Sequence, residues 1–313
     1  MSIILKHPAS LEWIYSHYIQ LELLQGLSGL DSVINYTFPD APEAVCPWLD
    51  VQHIPRAAID GNIVRWLQER LTEGHYVYLF LNTFHLPSYH TYSERHSAHD
   101  PLIVGYDNKA RTFAIRDFHT STQGLVKYET FDVDFTSLEL SYHDISPDMD
   151  RLEGVQLLRL DSTCTFRLDT KLLTHSISDY LDAKCSYPKN HNWLTTPVLA
   201  YGSQLYTYIA EHLRSVAAES VEADFRFIHV LHDHKLLMSK RLSFMADRRL
   251  IPESLANSYN EVLTTSQLLR STTLKYYLTQ DLRHLQRSEQ LLHDLQNKEQ
   301  HALLSILDAL QTT

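Results

Sequence analysis

The sequence predicts an α+β domain followed by an all-α domain, and two observations carry that prediction. Glycine use changes along the chain: six of the eight glycines lie at or before Gly124, and the later two are Gly154 and Gly202. Apolar spacing changes with it. Short runs rich in Val, Ile, Tyr and Phe, bounded by turn residues, give way to long i, i+3, i+4 repeats. The chain has 313 residues, 44% hydrophobic and 21% charged, which suits one large globular domain or two ordinary ones. The boundary is placed at 150, with residues 1–150 as the α+β domain and 151–313 as the helical domain.

In chain order, a helix is expected over 9–27 and strands over 32–38, 75–82, 102–106, 112–117 and 125–130. A second helix is expected over 57–73, where Ile59, Ile63, Trp66, Leu67 and Leu71 approach helical spacing and Gly74 stops it. Asp107-Asn108-Lys109-Ala110 is a polar turn that makes 102–117 a β-hairpin, in which Gly105 marks a bulge or a close backbone approach. A short strand over 155–160 closes this part. Helices follow near 168–181, 197–217, 225–246 and 253–310. The last stretch has no Gly or Pro and begins after Pro252, a residue that suits a helix start. Leu278, Leu282, Leu285, Leu292, Leu295, Leu303, Ile306 and Leu310 form one stripe along it, the seam of a packed bundle of two or three helices.

Charge limits the partners. The net charge is −11, and phosphate binding needs a basic surface, so a nucleic-acid partner is not expected. Residues 1–150 hold 20 acidic and 9 basic side chains, whereas 151–313 hold 18 of each. The first part therefore favours cationic small molecules, and the neutral second part is the better dock for an acidic protein. No apolar run approaches the roughly 18 residues of a membrane span. The first ten residues lack the features of a signal peptide. Three cysteines, Cys46, Cys164 and Cys185, are too few for a disulfide framework. The expected setting is the cytoplasm, away from membranes.

The sharpest chemical pattern is His99-Asp100, an apolar strand ending in Gly105-Tyr106-Asp107, the turn, and a second apolar strand ending in Asp117. A His opening one strand of a hairpin and an Asp closing its partner become neighbours by antiparallel pairing. A carboxylate so placed orients an imidazole and supports its protonated form, as in the base and orienter of a nucleophile–base–orienter triad. A His at a strand end and an Asp capping a turn are the bland alternative. Other histidines cluster as well: His90, His96 and His99 on one loop, and His229, His232, Asp233 and His234 on one helix. Neither set has the His-Glu-x-x-His spacing of a zinc protease, and a hydrogen-bonded interface is the better reading. Glycine-rich phosphate loops are missing too, so no metal or nucleotide cofactor is expected.

This pattern resembles the papain-like cysteine peptidase superfamily, in particular the bacteriocin-leader peptidases and a branch of acyltransferases from thiotemplated natural-product clusters. The matching residues include Gly74-His75, Leu86-Pro87, Tyr92 to His99 and Gly105-Tyr106-Asp107. The Trp13-to-Leu21 segment, Asp224 to His229 and His232 to Lys235 also match. The resemblance implies a papain-like N-terminal domain and acyl chemistry at a cysteine. An acyl group would pass from the thioester of an acyl or peptidyl carrier protein to an amine or polyamine. His99 would be the base, Asp117 its orienter, and Gln20 a possible oxyanion donor. In that superfamily the nucleophilic Cys begins an N-terminal helix. Here the first 45 residues hold no Cys, and Cys46 is the single thiol before His99. Cys46 is thus the candidate nucleophile, with a loop or half-buried thiol as its bland alternative; Ser10 and Ser16 are distant substitutes. Two further functions stay open: a non-catalytic binding protein of this fold, and a leader-peptide cysteine peptidase.

Overall fold

The computed structural model describes residues 3–25, 32–38, 45–59, 61–120, 126–187 and 197–311. In chain order, its first elements are helix α1 (Ser10–His17) and strands β1 (Leu21–Gln25), β2 (Ser32–Tyr36) and β3 (Leu49–Pro55). Helix α2 (Ile63–Thr72), β4 (Tyr76–Leu79), β5 (Leu81–Asn82), β6 (Ala98–His99), β7 (Leu102–Asp107), β8 (Thr112–Thr120) and β9 (Val126–Asp134) follow. Next come α3 (Phe135–His143), β10 (Gly154–Leu160), α4 (Thr170–Leu181) and β11 (Val198–Tyr201). The chain ends with α5 (Leu205–Ala217), α6 (Arg226–Asp247), α7 (Glu253–Thr279) and α8 (Leu282–Gln311).

Two compact units result, and they do not divide at 150. One comprises residues 1–7 and 46–164, the other residues 8–45 and 165–313. The first is an α+β unit around a six-stranded antiparallel sheet in the order β3-β10-β4-β7-β8-β9. The expected strand at 155–160 lies inside this sheet, between β3 and β4. Its first residue must be glycine: a Cβ on Gly154 would come within 2.3 Å of the Ile54 carbonyl oxygen. Val77, Leu79, Ile103, Phe113, Ile115, Val155 and Leu157 alternate onto one face and bury against Ile63 and Leu67 of α2 and Phe135 and Leu138 of α3. Each such fully buried side chain contributes roughly 1.5–3 kcal/mol. Asn62 and Asp134 start the two helices, each side chain accepting from the backbone N–H three residues on.

The second unit is not all-α. It contains a three-stranded antiparallel sheet in the order β11-β1-β2 beside its helices. The helix expected over 9–27 stops at His17, and 21–25 pairs with both 32–36 and 198–201. Residues 13–24 are apolar at most positions, so helical and strand periods fit them equally, and the distant partner strand decides. Arg241 of α6, fully buried, donates from Nε to the Tyr15 carbonyl at 2.7 Å and from Nη2 to the Tyr18 carbonyl at 2.5 Å. A guanidinium at the carbonyl end of α1 satisfies acceptors the helix cannot pair itself. The stretch 253–310 is two helices, parted at Gln280, whose φ of 54° lies in the left-handed region. Of the leucine stripe, Leu285, Leu292, Leu295, Leu303 and Ile306 are buried in the core of this unit, whereas Leu278 and Leu282, on either side of the break, are exposed. Among the described residues no helix is long and apolar enough to cross a membrane.

Candidate functional site

The hairpin forms as its residues dictate. Asp107 Oδ1 accepts from the backbone N–H of Lys109 at 2.7 Å and of Ala110 at 3.0 Å, fixing the turn between β7 and β8. The register shifts between Ile103 and Gly105, the bulge expected at that glycine. Leu102 pairs with Arg116, so the end of β8 runs past the start of β7. His99 does not open β7. Pro101 has no N–H to give the ladder, and His99 sits instead in the two-residue strand β6, opposite Leu81 of β5.

The two side chains nevertheless meet. His99 Nδ1 lies 2.8 Å from Asp117 Oδ2. The pair is close enough for the carboxylate to stabilise the ring once it is protonated. Asp117 is buried at 7% exposure, whereas His99 keeps 40%. The carboxylate is further held by Tyr89, whose hydroxyl donates to Oδ2 at 2.5 Å, and by the Phe118 backbone N–H, which donates to Oδ1 at 2.7 Å. Tyr89 also packs obliquely on the imidazole, ring centres 5.5 Å apart. Asp100 Oδ1 stands 3.7 Å from His99 Nδ1, and its other oxygen accepts from Tyr78. Partial burial pushes the His99 pKa down, but Asp117 and then Asp100 outweigh it, and the net shift is upward. This is an imidazole backed by a fixed negative charge and still reachable from outside.

A second polar group surrounds Asp144 at the end of α3. His85 Nε2 lies 2.7 Å and His96 Nδ1 3.5 Å from Asp144 Oδ2, while Asn82 Nδ2 donates to the Asp144 carbonyl at 2.8 Å. Asn82 belongs to β5, the strand that pairs with β6, so this network braces the strand that carries His99.

Cys46 is placed differently from a nucleophile. It is buried at 4% exposure, and burial pushes its thiol up to about 11, against weaker opposing help from the Trp48 backbone N–H. At neutral pH it is a protonated thiol. Cys164, also in the first unit, donates from Sγ to the Pro47 carbonyl at 3.1 Å, and its pKa is raised by hydrogen bonding to Asp161. Neither serine substitute is free for chemistry: Ser16 Oγ donates to the Glu12 carbonyl and accepts from the Asp169 backbone N–H, and Ser10 is buried. Gln20 is committed as well, Nε2 donating to the Lys184 carbonyl at 2.7 Å and Oε1 accepting from the Leu21 backbone N–H.

The histidine-rich helix is α6, and it makes the hydrogen-bonded contacts its sequence suggested. Arg270 of α7 donates to His229 Nδ1 at 2.8 Å, and His232 Nδ1 pairs with Ser266 Oγ at 3.0 Å. Within the described residues, no group of three His, Cys, Asp or Glu side chains is arranged to hold a metal ion. Sequence reasoning missed a larger feature beside them. Lys235 and Glu299, both fully buried, pair at 2.7 Å, and the Glu299 carboxylate also accepts from the hydroxyls of Tyr180, Tyr206 and Tyr259. His234, also buried, contacts the Ile19 carbonyl through Nε2 and lies 3.1 Å from the ammonium through Nδ1. The signal was present in the sequence: Lys235 and Glu299 each interrupt an apolar helical stripe, between Leu231 and Met238 and between Leu295 and Leu303.

No protein-family model matches this chain, and no curated protein matches it.

Proposed function

We propose that this protein is an acyltransferase-like enzyme of thiotemplated natural-product biosynthesis, moving an acyl group from a carrier-protein thioester to an amine. The resemblance to papain-like acyltransferases supplies the reaction class. The observation that carries it is the 2.8 Å pairing of a half-exposed His99 with a buried Asp117. His99 Nε2 takes a proton as the amine nitrogen attacks the thioester carbonyl, and Asp117 stabilises the imidazolium through Nδ1. The new C–N bond forms, the C–S bond breaks, and the proton passes from Nε2 to the departing thiolate. This direct transfer needs no acyl-enzyme, which suits a chain whose Cys46 thiol is buried and shifted up to about 11. The unit that carries His99, residues 1–7 and 46–164, holds 17 acidic and 11 basic side chains, which favours a cationic acceptor.

That same buried thiol favours a second reading, a carrier- or peptide-binding protein of this fold without chemistry. It disfavours a leader peptidase, which needs a thiolate at neutral pH. The experiment is to offer an acyl-N-acetylcysteamine thioester or a loaded carrier protein together with spermidine, and to follow amide formation by mass spectrometry. Amide is the expected product, with a loss of about 100-fold or more in His99→Ala. An unchanged rate in that folded variant rejects His99 as the base. Carrier binding without any amide supports the binding protein.

A further inference from the structure

The second unit holds a cleft with no role in that chemistry. It lies between β1 and β2 on one side and α5 and the start of α6 on the other, with a volume of about 460 Å³. A cavity near 150 Å³ already admits benzene, and small-molecule sites run from about 300 to 1,000 Å³. The walls are core side chains: Leu23, Ile34, Leu205, Ile209 and Phe227. At the rim, Val221 is exposed and Ser215 half-buried. Among the described residues, the lining carries one carboxylate, that of the exposed Glu211, and no Lys or Arg. His212, also in the lining, accepts from the Asp224 backbone N–H through Nε2, and the Asp224 carboxylate is held by Arg226 in a paired contact.

From this we infer that the cleft is a binding site for a cationic amphiphile, an alkylamine whose chain fills the apolar slot and whose ammonium meets Glu211. Charge selects the head group. A fatty carboxylate of equal length would bring its negative charge to Glu211 and be repelled, and a neutral alcohol would gain burial alone. The inference does not depend on the His99 reading, because every lining residue belongs to the second unit.

Calorimetric titration of the full chain with decylamine, decan-1-ol and decanoate tests it. Decylamine is expected to bind most tightly and decanoate most weakly. Glu211→Gln should weaken decylamine about fivefold, the upper range for an exposed ion pair, and leave decanol unchanged. Ser215→Trp, or Val221→Trp should the first variant fail to fold, should close the slot to decylamine and decanol. His99→Ala should bind decylamine as the native chain does, even where acyl transfer is lost. Decanoate binding as tightly as the amine, an amine affinity indifferent to Glu211→Gln, or undiminished binding in a folded tryptophan variant would each overturn the proposal.

Discussion

His99 is pulled in two directions, and the balance decides what it can do. Partial burial favours the neutral ring; Asp117 and Asp100 favour the charged one and win, so its pKa stands above the ordinary 6.5. The linked stabilisation is full below the ordinary value and fades as pH rises through the raised one. General-base activity follows the opposite course, since the ring must first lose its proton. Cys46 makes the contrasting case: burial pushes its thiol up to about 11, and the groups that oppose it offset only part of the shift. Iodoacetamide at pH 7 should therefore modify it slowly, and Cys46→Ala should leave amide formation intact. Fast, selective labelling of Cys46, read by peptide mapping, would return it to the candidate nucleophiles. The His99–Asp117 meeting was legible in the sequence because the polar turn at 107–110 fixes the pairing of both strands. The separate strand holding His99 was not, because it depends on Leu81 and Asn82, more than a turn's reach away.

Among the elements, α6 and α8 carry the most consequential contact. Lys235 and Glu299 lie 64 positions apart and meet with no exposure to solvent. Desolvating two charges costs several kcal/mol each, which their mutual attraction and the three tyrosine hydroxyls offset. Gly202 helps to bring in one of them: its φ of +50° and a space only 2.2 Å from the Tyr180 carbonyl oxygen leave no room for a Cβ. Lys235→Met strands the carboxylate and should cost about 3–5 kcal/mol in chemical denaturation. Adding Glu299→Gln, which keeps an acceptor for the hydroxyls without the charge, should recover most of that loss. A double variant no more stable than the single one would mean that packing, not charge, fails first. Periodicity alone reads both residues as flaws in an apolar stripe; only the tertiary fold joins the two flaws.

At the scale of the molecule, the two units are assembled from interleaved segments of chain. A composition shift near 150 separates acidic from neutral sequence, yet 8–45 folds with the C-terminal part because β1 pairs with residues 198–201. Pairing across that distance leaves no local trace, whereas glycine use and apolar period are local and were read correctly for most helices. The second unit should be acid-sensitive. Burial, with Lys235 beside it, pushes His234 down to about 3, and Lys235 holds Glu299 below its ordinary value against the effect of burial. Both shifts are depressions, so the stability they contribute is present above the ordinary pKa and lost as pH falls. For His234 that loss runs from about 6.5 to about 3. Thermal melts should fall steadily across this range, and less steeply in a folded His234→Gln variant; equal slopes would assign the acid sensitivity elsewhere.

The central claim is that a buried carboxylate poises one reachable imidazole for proton transfer. Its most direct test is the titration of the His99 ring, followed by NMR in the native protein and in Asp117→Asn. The native midpoint should lie above 6.5 and should drop in the variant, where burial acts with far less opposition. A native midpoint at or below 6.5, unmoved by Asp117→Asn, would contradict the account.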